Sequence, residues 1–175
     1  MHTLVCKNID TTQRRALRYF NNEGAELPFV ITAHSQHAAY GHNRDTIWYS
    51  PKDAGLYMSI MLPLPSTPLT NEEWFITERI GHAIKWVLRT ETHLRIEQRG
   101  INDLYLNNRK VGGIVCDIYR GCLIIGIGIN VFRPKRVPAP LNKTAIWLNE
   151  VLRDEVINMD DLRRAITLEI ERLVK

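Results

Sequence analysis

The chain has 175 residues, 45% hydrophobic and 24% charged, with a formal charge of +4. It is long enough to bury one sizeable core and too apolar for a disordered chain. Its basic residues are scattered apart from Arg133-Pro134-Lys135-Arg136, and no apolar run approaches a membrane span, so neither nucleic acid nor membrane is an expected partner.

Thr3 to Lys7 reads as a short strand, and Asp10-Thr11-Thr12-Gln13 supplies N-cap chemistry for a helix carrying Leu17, Tyr19 and Phe20. Leu27 to Ala33 is a second strand. A long polar stretch follows to Asp53, and its aromatic residues Tyr40, Trp48 and Tyr49 argue for a functional loop. Its histidines, His34, His37 and His42, have no matching Cys or carboxylate ligands at useful spacing, so zinc is not expected there.

Gly55 to Leu62 reads as a strand, and a Pro-rich turn runs through Pro68. Thr70-Asn71-Glu72-Glu73 is a capping box for a helix to about Arg89, with Ile76, Ile80, Ala83, Ile84 and Val87 as its inner stripe. Short strands are expected at Leu94–Ile96 and Leu104–Leu106, with a turn at Asn107-Asn108. Two helices close the chain, about Leu141–Leu152 and Asp160–Val174, the latter facing inward through Leu162, Ala165, Ile166, Ile170 and Leu173. Cys6, Cys116 and Cys122 are an odd, sparse set without CxxC spacing, which fits a reduced, cytoplasmic setting. No repeat or linker is visible, so residues 1–175 are expected to form one α+β domain.

The stretches Arg109-Lys110-Val111-Gly112-Gly113-Ile114 and Gly126-Ile127-Gly128-Ile129-Asn130-Val131 read as the arms of an antiparallel hairpin. Glycine weakens a strand, so four of them imply a surface kept bare for something to lie on it. A three-residue loop, Tyr119-Arg120-Gly121, pairs Ile118 with Cys122. It sets Gly112 opposite Gly128 and Lys110 opposite Asn130, all on one face. A two-residue loop instead puts Lys110 and Asn130 on opposite faces, and a bulge changes the count again. On the first register the hairpin is a floor for a small, flat ligand with an anionic end.

In this order and spacing, the Asp10-to-Gln13 segment, Gln36 before a loop ending in Trp48-Tyr49-Ser50-Pro51, Asn102-Asp103-Leu104-Tyr105, Lys110-Val111-Gly112-Gly113-Ile114 and Gly126-to-Val131 resemble the catalytic domain of biotin–protein ligases. The resemblance implies an antiparallel or mixed sheet flanked by helices, related to class II aminoacyl-tRNA synthetases. It leaves no room for the N-terminal DNA-binding module or the small C-terminal β-domain of many members. It implies ATP and Mg²⁺, biotin as substrate, and a lysine of a carboxylase's biotin carboxyl-carrier domain as acceptor, with a homodimer left open.

Carried over by resemblance, Lys110, Asp103 and Arg44 take catalytic roles. Thr11, Thr12, Gln36, Tyr40, Gly41, Trp48, Gly112, Gly113 and Gly126 join Lys110 around biotin, with the ring on the bare floor under Trp48. His42, Arg44, Trp48, Arg99, Asn102, Asp103 and Asn130 hold the nucleotide, with Mg²⁺ on Asp103 or Asn130. The family's loop usually reads G-R-G-R-x-G-R-x-W, and here Tyr40 and His42 replace the first two arginines. Arg99-Gly100-Ile101-Asn102-Asp103 stands where K-W-P-N-D is usual. Two further readings stay open: a non-catalytic binder of biotin or its adenylate, and a ligase for a related acid such as lipoate.

Overall fold

The computed structural model describes residues 1–41, 47–64, 73–152 and 157–174, without the side chains of 73–75. The expected capping box at 70–73, and the site residues His42 and Arg44, lie outside that description. Seven strands are described: β1 His2–Ile9, β2 Phe29–Gln36, β3 Gly55–Pro63, β4 Glu97–Arg99, β5 Asp103–Leu106, β6 Arg109–Tyr119 and β7 Cys122–Asn130. Five helices accompany them: α1 Thr12–Asn22, α2 Glu73–Thr92, α3 Ala139–Thr144, α4 Asn149–Leu152 and α5 Met159–Val174. The strands form one mixed sheet in the order β1-β2-β3-β7-β6-β5-β4, parallel between β1 and β2 and antiparallel elsewhere. This is the α+β architecture expected.

The alternation of β7 determines where the site can be. Ile125, Ile127 and Ile129 point to the face covered by α2 and α5, where they join Ile80, Ile84, Leu88, Ile166 and Ile170 in the main core. On the other face α1 seats Ala16 on Phe29, Ile31, Met61 and Ile124. A helix of 11 residues is about 16 Å long, so it covers only part of that face. The rest, over Gly126 and Gly128, is left for the site.

Two details of the hairpin differ from the three-residue reading. Tyr119 pairs with Cys122, so the loop has two residues, Arg120 and Gly121, both with positive φ (+49° and +74°). That is a type I′ turn, matched to strand twist. A non-glycine residue tolerates it here because Arg120 stacks over the Tyr119 ring at 5.2 Å and donates to Asn21 Oδ1 at 3.3 Å. Gly113 therefore faces Gly128, and Val115 faces Gly126.

Uninterrupted alternation would then send Lys110 into the core with Gly112 and Ile114. It does not, because β6 bulges. Leu104 pairs with Gly112 but Tyr105 pairs with Lys110, so Val111 is an extra residue. Val111 enters the core, and Lys110 joins the face of Gly113 and Gly128.

Two smaller expectations also change. The short strand after α2 is Glu97–Arg99 rather than Leu94–Ile96. The helix expected over 141–152 is broken: α3 and α4 flank an extended piece, where Ala145 bridges Lys110 in parallel and Ile146 N–H donates to Lys110 O. Its run Ala145-Ile146-Trp147-Leu148 is wholly buried, and a helix would turn part of it to solvent.

Candidate functional site

A cleft of about 530 Å³, open on one side, lies over the bare part of the sheet. Thr11 closes one end as N-cap of α1, with Oγ1 accepting the Arg14 N–H at 2.9 Å. The Thr12 N–H donates to Gln36 Oε1 at 2.8 Å, which turns the Gln36 amide nitrogen toward Ser50 Oγ at 3.2 Å. Ser50 Oγ in turn donates to the Trp48 carbonyl at 3.2 Å. Beneath them the fully buried Ser59 donates to Thr12 Oγ1 at 2.8 Å. The Thr11 and Thr12 hydroxyls each accept one hydrogen bond, which leaves each with its proton and a second lone pair. This end of the cleft presents hydroxyls able to donate.

Lys110 stands at the other end. Its Nζ lies 2.7 Å from Asp103 Oδ1 and 5.5 Å from the centre of the Trp48 ring. It is the one cation that lines this cleft among the described residues. A Cβ on Gly113 would sit 3.7 Å from Lys110 Cε, so the cation extends over the Gly113–Gly128 row. The donors stand at the next row, because Ser59 pairs with Gly126 across β3 and β7. Two residues along a strand separate the rows by roughly 7 Å.

Trp48 lies directly on the floor instead of above a gap. A Cβ on Gly128 would sit 2.7 Å from Trp48 Cε2 and Nε1. Among the described residues the buried indole N–H has no acceptor, and an unpaired buried donor is costly. On the far side of Trp48 and Lys110 is a second cavity of about 610 Å³, lined by Tyr105, Asn130, Ala145 and Trp147 among others. Asn130 Nδ2 donates to Lys110 O at 3.3 Å and Ile146 O at 3.2 Å, which ties β7 to the bulge. Glu150 pairs with Arg133 at 3.1 Å, and Arg133 stacks over Trp147 at 5.2 Å, which braces the wall. Arg133, first of the one basic cluster, thus has a packing role.

Thr11, Thr12, Gln36, Tyr40, Gly41, Trp48, Asn102, Asp103, Lys110, Gly113 and Gly126 all line the first cleft, while Asn130 lines the second. Gly112 does not belong with them. It faces the core, where a Cβ would lie 2.7 Å from Ile129 Cδ1 and 3.0 Å from Gly128 O. Its expected place on the floor came from the three-residue register. Arg99 also lines neither cavity: it stacks behind Tyr105, 4.4 Å from the ring centre, and pairs with Glu97 at 3.0 Å. Gln13, Val115, Tyr105 and Trp147 line the cavities without having been expected to. Trp147, a large aromatic in an apolar run beside the Arg133 loop, carried the clearest signal among them.

The profile of the biotin/lipoate A/B protein ligase family matches residues 5–131. The bifunctional ligase/repressor BirA of Escherichia coli (strain K12) is 30% identical over 123 residues, covering 67% of this chain and 37% of BirA, so the chain spans little more than a third of that relative. The biotin protein ligase of Aquifex aeolicus, solved with biotin and ATP, superposes with a TM-score of 0.83 at 23% identity, over 98% of this chain and 69% of that one. Helicobacter pylori biotin acetyl coenzyme A carboxylase synthetase, with bound biotinylated ATP, gives 0.76 at 26% identity, over 98% and 74%. With a seven-stranded mixed sheet, a cleft on its bare face and a family match over most of its length, the chain belongs to the biotin/lipoate A/B protein ligase family.

Proposed function

We propose that the protein adenylates biotin with ATP and transfers the biotinyl group to a lysine of a biotin carboxyl-carrier domain. One observation carries this reading: Lys110 borders both cavities, with Trp48 between them. A single cation shared by two sites suits a reaction that joins two anions, since it can neutralise a carboxylate on one side and a phosphate on the other.

In the first step a carboxylate oxygen of biotin forms a bond to the α-phosphorus of ATP and pyrophosphate leaves. In the second, the acceptor amine attacks the acyl carbon, loses a proton, and AMP leaves. Lys110 must release Asp103 to serve the incoming anions. Asp103 is then the carboxylate that fits Mg²⁺, which prefers oxygen ligands and takes one or two carboxylates beside substrate phosphates. Mg²⁺ supplies charge neutralisation at the phosphates.

The donor end favours biotin over lipoate. Thr11 and Thr12 offer protons to an acceptor roughly 7 Å from the Lys110 row. A ureido carbonyl can use them, and a dithiolane ring has no comparable acceptor. No disulfide joins Cys6, Cys116 and Cys122, in keeping with a cytoplasmic setting. The test mixes the protein with Mg-ATP, a carrier domain and either biotin or lipoate, and analyses the carrier by mass. Biotinylation of the carrier is the expected result. Biotin binding without transfer would favour a binding protein, and lipoylation alone would favour the related acid.

A further inference from the structure

Gln13 lines the first cleft but takes no part in the chemistry above. It follows Thr12 in the first turn of α1, and its side chain crosses the bare backbone of β7. A Cβ on Gly126 would sit 3.0 Å from Gln13 Cδ and 3.2 Å from its Cγ and Nε2. Gly126 is thus bare to admit Gln13. The amide Nε2 donates to Asp117 Oδ2 at 3.1 Å, and because a carboxylate only accepts, this bond orients the amide. Asp117 is exposed and lies two residues beyond Val115 on the same face of β6. The floor therefore continues past Gly126 to the surface, and Gln13 stands across it.

We propose that Gln13, held across Gly126 by Asp117, is the end wall of the acid pocket and determines the size of head group admitted. The inference rests on the biotin reading and deepens it. With the head oxygen at the hydroxyls of Thr11 and Thr12, a substituent on the head runs toward Gln13. Cutting Gln13 back to Cβ opens the pocket toward Asp117. Removing Asp117 leaves the wall in place but unfastened.

Calorimetric titration of wild type, Gln13→Ala and Asp117→Ala tests this with three ligands: biotin, lipoate, and biotin carrying a propargyl group on a ureido nitrogen. Wild type is expected to bind biotin and exclude the propargyl probe. Both variants should bind the probe at least about tenfold more tightly than wild type does, a change typical of one extra group in a pocket. Biotin affinity should move by much less. A selectivity gain of this kind is not produced by a general loosening of the fold, which would weaken all ligands together. The proposal is overturned if either variant excludes the probe as wild type does, or if wild type already admits it. If wild type binds neither biotin nor lipoate, the biotin reading fails and the wall falls with it, an outcome distinct from the other two.

Discussion

Lys110 Nζ and Asp103 Oδ1 lie 2.7 Å apart on neighbouring strands, and both side chains are mostly shielded from solvent. The bulge at Val111 brings them together by turning Lys110 out of the core. In this pairing the carboxylate of Asp103 holds the cation where an anionic ligand would.

Replacing Lys110 with Ala should therefore remove the shared cation and leave Asp103 facing the incoming acid. Adenylation is expected to fall about 10²–10³-fold, the usual effect of losing one group that stabilises developing charge. Stopped-flow measurement of pyrophosphate release checks this. A variant within a few fold of wild type would mean that another group carries the role.

Gly112 and Gly128 should respond differently to the same substitution, although they sit on adjacent strands. Gly112→Ala overpacks the core against Ile129 and the Gly128 carbonyl, at a cost of about 1–3 kcal/mol. Gly128→Ala first meets the Trp48 indole in the cleft, so the ring is displaced and biotin binding suffers while stability changes by less than about 1 kcal/mol. Urea unfolding beside ligand titration separates the two. The opposite pattern would show that the face assignment is wrong.

Ser59→Ala removes the buried donor to Thr12 Oγ1. The Thr12 hydroxyl can then point elsewhere, and affinity for biotin should fall about 5- to 10-fold, the worth of about one hydrogen bond. Affinity for an acid without a head-group acceptor should be unchanged, and Ser59→Thr should restore biotin binding. Equal loss for both ligands would contradict the polarity argument.

Asp10 gives a pH dependence. Its carboxyl is held at about 2, from an ordinary 3.8, chiefly by hydrogen bonds with the Arg18 guanidinium. A carboxyl lowered in the folded state stabilises fully above its unfolded value, and that contribution is lost as pH falls toward the folded value. Asp10→Asn should thus lower the urea midpoint at pH 5 and converge with wild type near pH 2. A constant gap across that range would mean that the Arg18 pair does not contribute.

The β7 repeat Ile-Gly-Ile-Gly-Ile was legible in the sequence because its period of two separates a packed face from a bare one, and the order of elements follows from strong apolar patterns. The register of β6 was not legible. It depends on Arg120 accepting a positive φ, which its contacts with Tyr119 and Asn21 allow, and on a bulge one residue long. Those two departures act in opposite senses, so Lys110 reaches the expected face by a different count, while Gly112 changes sides. Gln13 reads in the sequence as N-cap chemistry and Trp147 as part of a helix; each joins the site through contacts distant in sequence, with Asp117 and with Arg133.

The most direct test of the account is to incubate the protein with Mg-ATP and equal concentrations of biotin and lipoate, quench, and identify the acyl-adenylate by mass spectrometry. Biotinyl-adenylate is expected in wild type and almost none in Lys110→Ala. Lipoyl-adenylate as the main product, or no acyl-adenylate at all from a protein that binds biotin, would contradict it.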